Sequence, residues 1–286
     1  MEELRLRANG LGFRCLASGP DSGPLVLLLH GFPEGAEAWG PQLVALGGAG
    51  WRAVAPDLRG YGESDCPEGE DAYRMSELMA DVESLMGALG AARCHLAGHD
   101  WGALIGWSLA SRRPDLVQSW SALSVGHPTA FLGAMRDDED QRRRSSYIQL
   151  FRQPGKAEEV LLRDGYARLR RMYGLGSDPV DAIPSEVVER YVAGFSRPGR
   201  LTGALNYYRA NLGEQAPPLA DGRLDLPSQL VWGDQDPAIG RLSAERTAAF
   251  VAADYRLTVL PGAGHWLQFE RPREVSSLLL DWIGSH

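Results

Sequence analysis

Apolar runs alternate with amphipathic segments along the first 125 residues of the chain. Pro24–His30 and Arg52–Pro56 are apolar runs typical of parallel strands that are buried on both faces. Met75–Leu89 carries apolar residues at helical spacing and predicts a helix, which Gly90 ends. Gln118–Val125 predicts a further strand. This alternation of strands and helices indicates a parallel α/β sheet.

Two further patterns complete the outline of the chain. Near the N-terminus, a turn at Asn9-Gly10 predicts a hairpin between two short strands. From His127 to Pro218 the sequence is helical and charged, without a convincing buried strand. Strands are predicted again at Ser228–Trp232 and Tyr255–Leu260, followed by a helix over Glu274–Ile283.

A parallel sheet that is interrupted once by a helical block predicts a core domain with an inserted cap. We place the core at residues 1–127 and 219–286 and the cap at residues 128–218. The cap contains an acidic run, Asp137–Asp140, and a basic run, Arg142–Arg144. Both runs are predicted to lie on a solvated helix face rather than to form a binding site.

Composition and charge exclude several classes of function. The chain has 286 residues and a net charge of −8, which argues against nucleic acid or an anionic membrane as a partner. No secretory signal or membrane span is visible. Cys15, Cys66 and Cys94 lack paired or metal-ligand spacing. Reduced thiols and a cytoplasmic location are therefore expected, with no metal and no cofactor.

The segment Gly98-His99-Asp100-Trp101-Gly102 carries the strongest chemical signal. It follows a short apolar segment and precedes a helical one, Ala103–Arg113, which is the strand–turn–helix context of a nucleophile elbow. The central residue is Asp100 instead of the common serine. A carboxylate is already ionised at neutral pH and can attack a saturated carbon, leaving an alkyl ester on the enzyme.

An elbow nucleophile needs a base, and that base needs an acid to orient it. In this topology the acid and then the histidine follow the nucleophile along the chain. The predicted strand that contains Trp232 leads into a loop with Asp234 and Asp236, either of which could be the acid. The next strand ends in a glycine-rich loop that carries His265. Both loops belong at the carboxyl edge of the sheet, beside the elbow.

The loop His30-Gly31-Phe32-Pro33-Glu34 is predicted to complete the site. Gly31 allows this loop to bend so that the Phe32 N–H points at the elbow. The Trp101 N–H, at the start of the elbow helix, is the second expected oxyanion donor. A sharp bend here also favours a cis bond between Phe32 and Pro33.

These segments resemble the epoxide hydrolases of the α/β-hydrolase fold. The resemblance is carried by HGFPE, GHDWG, WGDQD and GAGHW, which begin at His30, Gly98, Trp232 and Gly262. It extends over essentially the whole chain and implies an α/β-hydrolase core with a helical cap. It also favours Asp236 over Asp234 as the acid and implies a cis bond before Pro33.

The cap segments extend the resemblance to two tyrosines. Epoxide hydrolases of this type use two cap tyrosines to donate hydrogen bonds to the epoxide oxygen. By the match of the flanking residues these are Tyr147 and Tyr208, and Tyr207 stands where the family usually has tryptophan. Neighbouring residues of a helix face different ways, so only one of Tyr207 and Tyr208 should reach the site.

The resemblance implies hydrolysis of a small hydrophobic epoxide to a vicinal diol by a monomer or homodimer. Asp100 is the expected nucleophile and His265, oriented by Asp236, the expected base. Glu34 is a weaker candidate: it either positions the hydrolytic water or is a surface residue.

Two other functions remain open. Haloalkane and fluoroacetate dehalogenases also use an elbow aspartate. In this chain, however, Phe32 stands in place of the halide-binding residue of many haloalkane dehalogenases, and Trp101 stands in place of the carboxylate-binding residue of fluoroacetate dehalogenases. A ligand-binding protein that has lost turnover is the other alternative, and the complete triad argues against it.

Overall fold

A computed structural model describes residues 1–173, 182–213, 216–220 and 222–286. Its centre is a sheet of eight strands in the order β1-β2-β4-β3-β5-β6-β7-β8. The strands are β1 Glu2–Ala8, β2 Leu11–Ser18, β3 Leu25–Leu29, β4 Arg52–Pro56, β5 Cys94–His99, β6 Val117–Leu123, β7 Ser228–Gly233 and β8 Tyr255–Leu260.

Strands β3 to β8 run parallel, and β2 pairs antiparallel with both β1 and β4. The turn between β1 and β2 has positive φ at Asn9 and Gly10, which is the conformation that an Asn-Gly hairpin turn requires. The predicted hairpin and parallel sheet are confirmed.

The described helices flank the sheet or lie between β6 and β7. They are α1 Gly40–Gly48, α2 Met75–Ala88, α3 Trp101–Arg112, α4 Pro128–Asp137, α5 Glu139–Arg144, α6 Tyr147–Phe151, α7 Lys156–Met172, α8 Ser185–Phe195, α9 Arg200–Asn211, α10 Arg241–Arg246, α11 Leu267–Glu270 and α12 Pro272–Gly284. Short 3-10 helices occur at Ala36–Trp39, Asp71–Tyr73 and Thr247–Phe250. Backbone angles inside α7 leave the helical range from Arg163 to Tyr166.

Strand β3 shows why the central strands are continuously apolar. Leu25, Leu27 and Leu29 contribute to the core on one face of the sheet, and Val26 and Leu28 to the core on the other face. Successive side chains of a strand point to opposite faces, so a strand that is covered on both sides needs apolar residues throughout. Helices α2 and α3 cover the first face, and α1 and α12 cover the second.

Helices α4 to α9 lie between β6 and β7 in the chain, in the part for which the sequence predicts a helical cap. The apolar face of the cap joins the same core as α2 and α3, since Phe151 and Tyr208 pack against Phe32 of the core. The exact borders of the two predicted domains stay a prediction.

Neither a spanning helix nor a disulfide is found in the described part of the chain. No described helix is long and apolar enough to cross a membrane. Cys15, Cys66 and Cys94 are free thiols. The cytoplasmic location stays a prediction.

Close backbone packing fixes the turn from β5 into α3. A Cβ atom added at Gly98 would lie 2.3 Å from the Gly102 carbonyl oxygen, and one at Gly102 would lie 2.1 Å from the Leu29 carbonyl oxygen. Both obstacles are backbone atoms, which cannot rotate away as a side chain can. Glycine at these positions therefore lets the elbow sit directly against the end of β3.

Gly98→Ala should lower the free energy of unfolding by about 1–3 kcal/mol or more, because the new methyl group overlaps backbone. Gly87→Ala is the matched control, since Gly87 lies in α2 and has open space around it. The control should be neutral or slightly stabilising. Urea unfolding of both variants measures the difference, and equal stabilities would contradict this account of the elbow.

Candidate active site

Asp100 lies at the tip of the turn between β5 and α3. Its φ of 52° and ψ of −115° place it in a strained conformation that projects the side chain away from both elements. The carboxylate Oδ1 accepts a hydrogen bond of 2.7 Å from the Phe32 N–H. The Trp101 N–H, the second expected oxyanion donor, starts α3 but donates no hydrogen bond to this carboxylate in the described structure.

His265 stands beside Asp100 and is held by Asp236. Its Nε2 is 3.8 Å from Asp100 Oδ2, and its Nδ1 is 2.8 Å from Asp236 Oδ2. The other Asp236 oxygen accepts the N–H groups of Ala238 and Ile239, at 2.7 and 2.9 Å. Asp234 instead accepts the Gly262 N–H at 2.8 Å. The structure thus brings Asp236, and not Asp234, to His265.

The Phe32 loop is braced from behind by His30. The His30 Nε2 accepts the Leu58 N–H at 3.0 Å, so Nδ1 carries the proton and donates to the Gly31 carbonyl at 2.9 Å. Burial lowers the pKa of His30, which keeps this ring neutral. The bond between Phe32 and Pro33 is cis, as the sequence analysis predicts.

Glu34 is buried behind this loop, at 2% exposure, and does not line the cavity that contains Asp100. Its carboxylate lies 2.8 Å from His99 Nδ1 and accepts the Gln268 side-chain amide at 3.3 Å. The other His99 nitrogen, Nε2, donates to the His265 carbonyl at 2.9 Å. One proton is therefore shared between Glu34 and His99, and the pair ties the Phe32 loop to the His265 loop.

Tyr208 reaches the site because α9 is anchored to the core on both sides of it. The neighbouring Tyr207 points the other way, is fully buried, and donates to the Arg59 carbonyl at 2.9 Å. Asn211 accepts the Met75 N–H at 2.7 Å. These contacts leave Tyr208 facing the cavity with Asp100, and only one of the two adjacent tyrosines lines it.

Tyr147, the first residue of α6, meets Tyr208 edge-on with ring centroids 6.2 Å apart. Both rings line the same cavity as Asp100 and His265. Burial, reinforced by the nearby Asp100 carboxylate, raises the pKa of Tyr147 and of Tyr208 above that of free tyrosine. Both hydroxyls therefore remain protonated and able to donate at neutral pH.

Burial and neighbouring charges act in opposite directions on the central pair. Burial opposes the ionisation of Asp100, but the contact with His265 and the Phe32 N–H outweighs it, so the pKa of Asp100 is lowered. Burial likewise opposes protonation of His265, but Asp236 and Asp100 outweigh it and raise the pKa of His265. Both shifts favour a carboxylate at Asp100 beside an imidazolium at His265.

The cavity around these groups has a volume of ≈ 410 Å³, within the range of small-molecule sites. Besides Asp100 and His265, its lining is mainly aromatic or apolar, with arginines from the cap: Phe32, Tyr147, Phe151, Met172, Tyr208, Pro237, Ala238, Trp266, Arg144, Arg168 and Arg171. Within the described residues, no group of three or more His, Cys, Asp or Glu side chains could hold a metal ion.

The presence of Arg144 in this lining corrects one expectation. The basic run was predicted to be wholly solvated, and Arg142 and Arg143 are indeed exposed. Arg144 instead donates to the Asp236 carbonyl and to Asp140. Arg144 reaches the acid loop because α5 packs beside that loop. The local sequence does not reveal this packing.

Comparison with known proteins identifies the family. A model of the alpha/beta hydrolase fold matches residues 24–272. Epoxide hydrolase A of Mycobacterium tuberculosis is 35% identical over 98% of this chain and 97% of its own length. Epoxide hydrolase 4 of Mus musculus is 34% identical over 96% of this chain and 77% of its own length. The crystal structure of Epoxide Hydrolase A from Mycobacterium thermoresistibile superposes with a TM-score of 0.84 at 34% identity, covering 99% of this chain and 98% of that one.

The chain belongs to the epoxide hydrolase family of the α/β-hydrolase fold. The resemblance inferred from the four motifs is thereby confirmed.

Sequence motifs did not indicate several residues that shape this epoxide hydrolase site. Glu270 accepts the N–H groups of Gly264 and Trp266, at 2.6 and 2.9 Å, and so fixes the loop on both sides of His265. Ser124 donates to the His265 carbonyl at 2.8 Å. The position of Glu270, five residues after His265, was an available signal, because a short helix brings it back over the loop.

Asp236→Asn should lower the pKa of His265, because the charge that offsets the effect of burial is removed. Asp234→Asn is the control, since Asp234 bonds the Gly262 amide and leaves His265 untouched. The titration of the His265 ring protons, followed by NMR in both variants, measures the shift. An equal fall in the control, or none in Asp236→Asn, would contradict the assignment of Asp236.

Proposed function

We propose that this chain hydrolyses epoxides to vicinal diols through an ester on Asp100, without a cofactor. The observation that carries the proposal is the meeting of four groups in one cavity. Asp100, His265, Tyr147 and Tyr208 line the same space, with Asp236 behind His265. A carboxylate nucleophile, a base and two neutral hydroxyl donors are the groups that opening an epoxide and hydrolysing the resulting ester require.

In the first step an Asp100 oxygen attacks one ring carbon, and the bond from that carbon to the ring oxygen breaks. The ring oxygen takes the electron pair and becomes an alkoxide. Tyr147 and Tyr208 donate hydrogen bonds to it, and one of them supplies its proton. Their raised pKa values keep both hydroxyls protonated until this moment.

In the second step water hydrolyses the ester. Once Asp100 is esterified it is no longer an anion, so one of the charges that raise the pKa of His265 is lost. His265 then gives up its proton more readily; that proton passes through water to the tyrosinate that the first step leaves, and neutral His265 becomes the base that activates water. Water attacks the Asp100 carbonyl carbon, and the Phe32 and Trp101 N–H groups stabilise the oxyanion. The tetrahedral intermediate collapses, the ester bond to the diol oxygen breaks, and that oxygen leaves with the proton that His265 took from water. The second proton of the water returns His265 to the imidazolium, and one water oxygen remains in the Asp100 carboxylate.

Glu34 acts on this step through His99. The pair donates one hydrogen bond to the His265 carbonyl and holds the Phe32 loop through the same carboxylate. The buried contact between Glu34 and His99 thus holds both groups that act on the tetrahedral intermediate, namely the base and the oxyanion donor. A role for Glu34 in positioning water operates through that contact, because Glu34 does not line the catalytic cavity.

The tyrosines favour epoxides over the haloalkanes that a dehalogenase would convert. An alkoxide is a poor leaving group until it is protonated, whereas a halide leaves without a proton. A halide leaving group would not need the two hydroxyl donors that line the cavity with Asp100. A ligand-binding protein without turnover is disfavoured, because nothing in its function would require the contacts among Asp100, His265 and Asp236.

His265→Gln should trap the ester, because alkylation needs no base and hydrolysis does. After incubation with a reactive epoxide, mass spectrometry should find the substrate mass on the peptide that contains Asp100. Asp100→Ala is the control, and it should show neither adduct nor turnover. An unmodified Asp100 peptide in His265→Gln, with substrate shown to bind, would contradict the covalent scheme.

Tyr147→Phe and Tyr208→Phe remove one hydroxyl donor each and keep the ring. Loss of one such donor costs about two to three orders of magnitude in rate. Because the second tyrosine compensates in part, each single variant should be affected less than the double variant. Single-turnover measurements of the alkylation step test this, with Tyr255→Phe as the control outside the cavity, since the Tyr255 hydroxyl has no hydrogen-bond partner among the described residues. An unchanged rate in the double variant, or turnover of haloalkanes but of no epoxide, would overturn the assignment.

A further inference from the structure

A second cavity, the seam cavity, lies where the cap meets the core. Its volume is ≈ 430 Å³. On the core side it is lined by Arg14 and by the loops that follow β3 and β4, and on the cap side by α8 and the turn into α9. Among the described residues, none that lines the seam cavity also lines the cavity of Asp100. The seam cavity is therefore a site separate from the catalytic one.

The acids of the seam cavity are already paired. Each of its four carboxylates is held by a basic side chain: Glu34 by His99, Glu37 by Arg14 and Arg190, Asp57 by Arg14, and Glu63 by Arg5. Two more arginines line the same space, Arg197 and Arg200. Within the described part of the chain, neither of these two forms an ion pair. Their charges are thus the ones that the cavity leaves without a counterion.

Arg200 is the more deeply placed of the two, at 9% exposure. Its Nη1 donates to the carbonyls of Tyr61 and Ser64, at 3.2 Å for Tyr61. Its Nε and Nη2 have no acceptor among the residues that the structure describes. A buried polar group ordinarily finds a hydrogen-bond partner, because burial deprives it of water. These N–H groups are therefore available to a ligand in the cavity.

Arg197 approaches the same space from the turn before α9. It is exposed and donates to the Gly62 carbonyl at 3.1 Å. Burial lowers the pKa of Arg200, and the positive charge of Arg197 acts in the same direction. The two guanidinium groups thus repel one another, and an anion between them would convert that repulsion into two attractions.

The unused donors of this wall match an oxygen-rich anion. Besides the Arg200 N–H groups, the hydroxyl of Tyr191 has no hydrogen-bond partner among the described residues, and Tyr191 is buried in the same wall at 6% exposure. A phosphate group offers several acceptor oxygens and up to two negative charges. The planar fork of a guanidinium fits two of those oxygens at once.

We propose that the seam cavity binds a phosphate group between Arg197 and Arg200, either as inorganic phosphate or as the phosphate of a small monoester. This ligand is not a substrate of the catalytic cavity, so the inference stands whether or not the chain hydrolyses epoxides. The two arginines also hold the carbonyls of Tyr61, Gly62 and Ser64. A bound phosphate therefore strengthens the contact between this core loop and the cap.

Calorimetric titration of the protein with inorganic phosphate, at low and constant ionic strength, tests the site. Wild-type protein should bind a single phosphate per chain. Arg197→Gln should raise Kd about two- to fivefold, the scale of an exposed charge pair, and Arg197→Glu should raise it further. Arg200→Gln should raise Kd about tenfold or more, because hydrogen bonds to a charged, partly buried group contribute more.

The matched control is Arg168→Gln/Arg171→Gln, which removes two exposed arginines of the catalytic cavity instead. It changes the net charge as much as Arg197→Gln/Arg200→Gln does, and it should keep the wild-type Kd. If the wild type binds no phosphate, or if the control weakens binding as much as the Arg197/Arg200 variant, the proposal is overturned. Arg197→Glu keeps the test decisive if loss of the buried Arg200 impairs folding, because Arg197 is exposed.

Thermal unfolding supplies a second measurement. Phosphate stabilises folded proteins in general, so the informative quantity is the rise in Tm of the wild type minus that of Arg197→Glu. A larger rise in the wild type supports the site, and equal rises contradict it. Methyl phosphate in a parallel titration separates the two sources of the ligand. Tighter binding of the monoester identifies a phosphorylated small molecule, and tighter binding of inorganic phosphate identifies the free ion.

Discussion

Three stretches of backbone meet around the Asp100 side chain, and the site depends on this close approach. A Cβ atom at Gly31 would lie 2.3 Å from Asp100 Oδ1, and one at Gly102 would collide with the end of β3. Because these residues are glycine, the Phe32 N–H reaches the carboxylate at 2.7 Å. The Asp100 carboxylate, the Phe32 N–H and the end of β3 are thereby held against one another by close backbone packing, before any cap residue contributes.

The charge arrangement follows from that packing. Asp100 is one of the two carboxylates that raise the pKa of His265, the other being Asp236. In the proposed reaction, conversion of Asp100 to an ester therefore changes the proton affinity of His265 beside it. Asp236 can hold His265 in either state because its second oxygen is already occupied by the N–H groups of Ala238 and Ile239. In that scheme the proposed nucleophile also sets the protonation of the proposed base, which suits a reaction in two steps.

The cap supplies what the core lacks, namely hydroxyl donors and the walls of the cavity. Its orientation is set by contacts far from the chemistry, such as Asn211 on the start of α2 and Tyr207 on the Arg59 carbonyl. Those contacts turn Tyr208 toward Asp100. The same insertion also brings Arg168 and Arg171 to the wall of the cavity.

Sequence alone determined the order of the strands along the chain, the elbow at Asp100 and the loop of His265, because short-range periodicity and turn residues encode them locally. It also indicated that only one of Tyr207 and Tyr208 faces the site, since helix geometry separates neighbours. The residue pattern left Asp234 and Asp236 open and the family resemblance favoured Asp236, which the tertiary structure places against His265. Only the tertiary structure shows that Glu34 bonds His99 and that Arg144 donates to the acid loop. Each of these contacts joins residues far apart in the chain, and no local pattern records which distant partner a buried polar group will find.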